Sequence, residues 1–212
     1  MMTDFYQLTM ANGYFLEGTY KKRAVFDMFF RQNDITRYAV AAGLDQVIDY
    51  IRNLHFSEED IEYLRSTKTF NEDFLEYLKD FRFTGDLYSV PEGTIVFPGE
   101  PILTVSAPII EAQIVETAIL TIVNHQTLIA SKASRIKNVA GDDVVMEFGL
   151  RRAQGPDAGI YGARAAIIGG CDATSNVYAA KEFGVRPSGT HSHSWVMSFP
   201  SEIDAFRAGR RG

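Results

Sequence analysis

The sequence predicts an α/β protein, with an N-terminal α+β portion followed by strands and helices in parallel βα order. Three observations predict it. Before Phe81, apolar positions recur with helical spacing behind polar capping residues. Between Phe81 and Pro108, short extended runs stand between the turn signals Pro91-Glu92-Gly93 and Pro98-Gly99-Glu100. From Asp143 onward, short apolar runs alternate with helix-like segments, and each run opens into a loop bearing side chains that handle anions or protons. Such βαβα order favours a parallel sheet or barrel with right-handed crossovers, which presents its chemistry on the loops after successive strands.

Composition bounds this reading. The 212 residues are 46% hydrophobic and 23% charged, enough apolar material for a sizeable core in one domain or two small ones. Pro108 is the natural division, giving residues 1–108 and 109–212. The net charge of −6 argues against nucleic acid as the main partner. Cys171 is the only cysteine, so no intrachain disulfide forms, which fits a reducing cytoplasm. Met-Met-Thr-Asp-Phe-Tyr lacks the basic-then-apolar layout of a signal peptide. The most apolar segment, Ile109 to Ala133, carries Glu111, Glu116, His125 and Lys132 and is too polar to span a membrane.

Thr3 or Asp4 can cap a first helix through Met10, with Asn12-Gly13 as its stop or break. Tyr6 reads locally as a packing aromatic on that helix. Lys22 to Phe30 alternates around Ala24, Phe26 and Met28 as a strand. Leu44, Val47, Ile48 and Ile51 have helical spacing after Gly43. Ser57-Glu58-Glu59-Asp60 resembles a capping box, and Asn71 can cap a helix carrying Phe74, Leu75 and Leu78. Thr94 to Phe97 and Ile102 to Val105 suggest a small antiparallel meander. Ile110, Ile114, Ala118, Ile122, Gln126, Ile129 and Ala133 form one stripe of a long helix that Gly141 can stop. His125 in this helix reads as a structural or surface histidine. Val144-Val145-Met146 is a buried-strand signal, and Asp157 to Ile168 and Ala173 to Phe183 are expected helices, the second with Asp172 as N-cap.

Three blocks carry the chemistry. Phe148-Gly149-Leu150-Arg151-Arg152 places an aromatic face and two guanidinium forks just past a strand. Gly155-Pro156-Asp157 then opens a helix whose N-terminus favours anions. The alternative is a turn with two solvated arginines. Asp172 is either a cap or a strand-end residue that orients a ligand. Gly189-Thr190-His191-Ser192-His193-Ser194 sets two of the four histidines among hydroxyls, suited to accept a phosphoryl group or a proton. A structural histidine pair is the competing reading. Zinc would need a third ligand, and no HExxH or CxxC pattern, P-loop or GxGxxG is present.

Tyr6-Gln7-Leu8-Thr9-Met10, Glu147 to Gly155, Gly170-Cys171-Asp172-Ala173-Thr174-Ser175-Asn176 and the histidine block together resemble nicotinate phosphoribosyltransferase over nearly the whole chain. The resemblance implies formation of nicotinate mononucleotide from nicotinate and phosphoribosyl pyrophosphate, a step of NAD salvage. It implies coupling to ATP hydrolysis through a phosphohistidine, with Mg²⁺ helping pyrophosphate to depart. It also implies an N-terminal α/β domain on an irregular α/β barrel, and a homodimer whose active sites use both subunits. By position, His193 matches the phosphorylated histidine and Thr190 a nicotinate-site residue. Tyr6, from the partner subunit, and Phe148 match the pyridine sandwich. Arg151 and Arg152 match ligands of phosphate or carboxylate, and Asp172 a contact to the pyridine or ribose. The family chain is longer, and its later part supplies the arginine for the nicotinate carboxylate and the Gly-rich ribose-phosphate loops. Only the first part of the barrel is expected here, and the tail Ala208-Gly209-Arg210-Arg211-Gly212 does not resemble the family continuation. The polypeptide alone is therefore expected to be a poor or inactive enzyme. The competing expectations are a non-catalytic fragment that associates with a full-length subunit, and a nicotinamide-specific relative.

Overall fold

The computed structural model of the chain describes residues 1–31 and 37–209, so Arg210-Arg211-Gly212 of the tail lie outside the described residues. Helix α1 (Phe5–Leu16) starts behind Asp4, whose backbone N–H donates to the Gln7 side-chain oxygen at 3.1 Å. It does not stop at Asn12-Gly13, as the sequence suggested. A glycine inside a helix costs only about 1 kcal/mol. The turn beyond it brings Phe15 against Tyr20, Phe74 and Tyr77, with ring centroids 5.2, 5.9 and 5.4 Å away. Tertiary packing outweighs the local break.

Strand β1 (Arg23–Met28) forms where expected. Strands β2 (Ala39–Val40), β3 (Asp86–Ser89), β4 (Ile95–Val96) and β5 (Leu103–Pro108) are arranged in two antiparallel sheets, β1-β5-β3 and β2-β4. The expected simple meander is thus corrected. The two Pro-Gly turns swing β4 away from its sequence neighbours. Ala39–Ala41 then satisfies its backbone, with Ala41 N–H donating to Thr94 O at 2.9 Å and Gly93 N–H to Ala41 O at 2.8 Å.

Helices α2 (Leu44–Asn53), α3 (Glu58–Ser66) and α4 (Glu72–Lys79) match their periodicity. Ser57 and Asp60 form the reciprocal capping box, and Asn71 accepts from Asp73 N–H at 2.8 Å. The long helix α5 (Ile109–Ala140) follows Pro108 directly and ends at Gly141, which has φ 59° and donates to Lys137 O at 2.9 Å. Its first half buries Ile110, Ile114, Val115 and Ile119 with Phe74, Leu78 and Val105 in the main core. Its second half carries Ala130 into a small cluster with Val40, Ala42 and Ala165. One helix therefore serves both portions of the chain.

The parallel portion begins with β6 (Met146–Glu147), crosses through α6 (Pro156–Ile168), and returns as β7 (Ala173–Thr174) beside β6. Thr174 also bridges Pro187 in parallel. Helices α7 (Val177–Glu182), α8 (His193–Met197) and α9 (Glu202–Gly209) complete the described chain. Two expectations are corrected here. Ala173-Thr174 is strand, and the helix after it is capped by Asn176, whose Oδ1 accepts from Ala179 N–H at 3.1 Å. Asp172 does not cap it. The sheet packs tightly on α5 through α6, whose C-cap Gly169 would place a Cβ 2.3 Å from Ala130 O.

Candidate active site

The carboxyl ends of β6 and β7, with the segment after Pro187, enclose a groove of ≈ 660 Å³. Phe148, Leu150 and Arg151 form the wall after β6, and Leu150 and Arg151 lie on one 3₁₀ turn. Ser175 and Val177 follow β7, and Thr190 and His191 close the third side. Parallel strands put successive loops at one edge, which explains why residues distant in sequence converge there. Phe148 is 41% and Val177 74% exposed, so the groove is open to solvent and its apolar lining is uncovered.

The structure gathers Phe148, Arg151 and Thr190 at this groove. Arg152 shares the 3₁₀ turn but is not part of the lining. His193 is exposed and opens α8 immediately beyond the lining residue Ser192, whose hydroxyl is 2.6 Å from that of Ser194. His191 faces the groove and stacks on Trp195, with centroids 5.5 Å apart and planes at 15°.

Two residues lie elsewhere. Tyr6 is on α1, 48% exposed, and donates to Glu116 on α5 at 3.3 Å. Asp172 precedes β7 and so stands at the opposite, amino end of the parallel pair. It accepts from Val145 N–H at 2.8 Å and from Lys137 Nζ at 2.9 Å. The Val145 amide, then the Lys137 ammonium, hold its carboxyl below the ordinary aspartate range. The first turn of α6 also departs from the anion site expected there. Asp157 lies in it, and the adjoining cavity of ≈ 270 Å³ is lined by Asp45, Asp49 and Glu182 as well. His125 keeps a structural role, with Nε2 3.2 Å from Ala158 O on α6.

Residues not singled out from sequence complete the floor. Ser175 lines the groove, and below it Glu147 accepts from Thr174 Oγ1 at 2.6 Å. Reading Ala173-Thr174 as a strand would have placed Ser175 on a strand-end loop. That signal was masked by the alanine-rich run that follows. Among the described residues no group of three or more His, Cys, Asp or Glu could hold a metal ion. No described helix is long and apolar enough to cross a membrane.

The groove thus brings an aromatic face, a guanidinium and hydroxyls together on strand-end loops of a chain of mixed helix and strand. Residues 1–124 match the family model of the nicotinate phosphoribosyltransferase (NAPRTase) N-terminal domain, and the chain belongs to that family. It is 52% identical over 206 residues to a Bacillus subtilis nicotinate phosphoribosyltransferase, covering 97% of this chain and 42% of that protein. A Mycobacterium tuberculosis nicotinate phosphoribosyltransferase is 44% identical over 212 residues, covering 98% of this chain and 45% of that protein. The crystal structure of human nicotinic acid phosphoribosyltransferase superposes with a TM-score of 0.87 at 37% identity, over 94% of this chain and 41% of that one. The chain thus spans less than half the length of these relatives.

Proposed function

We propose that this chain forms the pyridine-binding part of a nicotinate phosphoribosyltransferase, which makes nicotinate mononucleotide from nicotinate and phosphoribosyl pyrophosphate in cytoplasmic NAD salvage. The convergence of Phe148, Arg151 and Thr190 on one strand-end groove carries this reading. The parallel pair β6-β7 is read as the start of an irregular barrel, divided from the N-terminal portion near Pro108.

In this reading Phe148 stacks on one face of the pyridine. Arg151 or Arg152 offers its fork to a carboxylate or phosphate, and the Thr190 hydroxyl bonds to the ring's substituent. The pyridine nitrogen then attacks the anomeric carbon. The new C–N bond takes its electron pair from nitrogen, and the C–O bond to pyrophosphate breaks with its pair leaving on oxygen. The groove contributes orientation. Tyr6 is exposed and outside the groove's lining, which supports its serving the site of a partner subunit in a homodimer. Asp172 contributes at the other end of the strands, by fixing β7 rather than by touching the pyridine.

In this reading the exposed His193 imidazole accepts the γ-phosphoryl group of ATP, forming an N–P bond as ADP departs and adding charge beside the groove. Mg²⁺ supplies charge neutralisation when it arrives on pyrophosphate or ATP. Among the described residues no group of three or more His, Cys, Asp or Glu could hold it. The open groove supports weak turnover by this polypeptide alone, and association with a longer subunit is the second reading that the exposed Tyr6 favours.

The test incubates the chain with nicotinate, phosphoribosyl pyrophosphate and γ-labelled ATP, alone and with a full-length relative whose own His is mutated. Label on wild-type chain that is absent from His193→Ala, with nicotinate mononucleotide formed in the mixture, is expected. No label and no product under either condition would refute the proposal.

A further inference from the structure

The parallel register pairs Glu147 with Thr174, so their side chains project to the same face at the last residues of the two strands. The Glu147 carboxylate accepts from Thr174 Oγ1 at 2.6 Å through Oε2, and from the Gly149 backbone N–H through Oε1. Thr174 is fully buried, and its oxygen in turn accepts from Asn176 N–H at 3.0 Å. Asn176, also buried, donates from Nδ2 to Gly159 O on α6 at 3.2 Å and caps α7. A Cβ on Gly149 would stand 2.8 Å from Glu147 Oε1, so the loop backbone passes close over the carboxylate. Every donor in this chain is fixed. The Thr174 hydroxyl hydrogen must point to Glu147, because its oxygen already receives the Asn176 amide.

We infer that Glu147 is a positioning residue: its two carboxylate oxygens tie the loop after β6 to the end of β7 and so set the separation between Phe148–Arg151 and Ser175. It acts through those residues and does not line the groove itself. Only a carboxylate can accept from both donors. Glutamine turns an N–H toward one of them and loses that bond. The inference rests on the reading of the groove as the nicotinate site.

The test compares wild type with Glu147→Gln, Thr174→Val and Thr174→Ser. Amide exchange at Gly149 is followed together with the nicotinate Kd from calorimetry, and with exchange of the α4 core amides as a fold control. Glu147→Gln and Thr174→Val are expected to speed Gly149 exchange and weaken nicotinate about tenfold each, with the α4 amides unchanged. Thr174→Ser, which keeps the hydroxyl, restores both. Gly149 exchange equal to wild type in both Glu147→Gln and Thr174→Val would overturn the inference. If wild type binds no nicotinate while Gly149 exchange responds as expected, the strap stands and the reading of the groove fails. If Glu147→Gln unfolds, the valine and serine variants decide between these results.

Discussion

Glu92→Ala should cost this fold about 3 kcal/mol, and the structure says where that cost arises. Glu92 sits in the turn before β4, and its carboxylate accepts from Arg164 on α6 at 2.8 and 2.6 Å. It also accepts from Gly43 and Leu44 N–H at 2.6 and 3.1 Å, standing in for the side-chain cap that α2 cannot draw from Gly43. Gly43 itself is required there, with φ 107° and a would-be Cβ only 3.1 Å from Ile122 O. The Arg164 and Glu92 side chains are 14% and 20% exposed. Removing one partner of a fully buried pair costs about 3–5 kcal/mol. Residual exposure lowers that to about 2, and the lost cap adds about 1. Arg164→Met should cost less, about 1–2 kcal/mol, because Glu92 keeps its two amide donors. The double variant should then be more stable than the sum of the singles predicts, by about 1–3 kcal/mol, since no charge is left stranded. Urea denaturation of the four proteins measures this cycle. Glu92→Ala within about 0.5 kcal/mol of wild type, or strict additivity, would refute the reasoning.

The same carboxylate predicts a pH dependence. Burial raises the Glu92 carboxyl, but the Arg164 guanidinium and the two amides outweigh it and hold the group below its ordinary range. A carboxyl lowered on folding adds stability that is complete above the unfolded value, about 4.3, and is lost as pH falls through the folded value. Melting temperature should fall less steeply below that pH in Glu92→Gln than in wild type, and parallel curves would contradict this. Gly169→Ala should destabilise by about 1–3 kcal/mol, because the new Cβ meets the Ala130 carbonyl at 2.3 Å and Ala133 Cβ at 2.7 Å. Gly184→Ala has open space around it and pays only for its φ of 65°, about 1 kcal/mol, so thermal melts should rank the two in that order.

Much of the fold was legible because local signals agreed with tertiary ones. Ser57, Asn71 and Gly141 cap or stop helices as their chemistry requires, and the Ile110-Ile114-Ala118-Ile122 stripe is buried along α5. What was hidden depends on contacts between distant residues. A two-residue strand such as Ala173-Thr174 has no period to detect, and its identity comes from pairing with Met146 and Glu147. The continuation of α1 past Gly13 is decided by aromatic rings from α4. The Glu92–Arg164 pair joins residues 72 apart in sequence. The motif residues Phe148, Arg151 and Thr190 come together at one groove. They could not show that Asp172 lies at the far end of its strand, because a motif gives order along the chain and not the direction of the strand beside it.

The most direct test of the account is a nicotinate titration followed by backbone and side-chain NMR. The account predicts saturable shifts at Phe148, Arg151, Ser175 and Thr190 that Phe148→Ala abolishes, with no change in the separate apolar cleft at Phe26, Met28 and Leu120. Shifts centred on that cleft, or binding indifferent to Phe148→Ala, would contradict it.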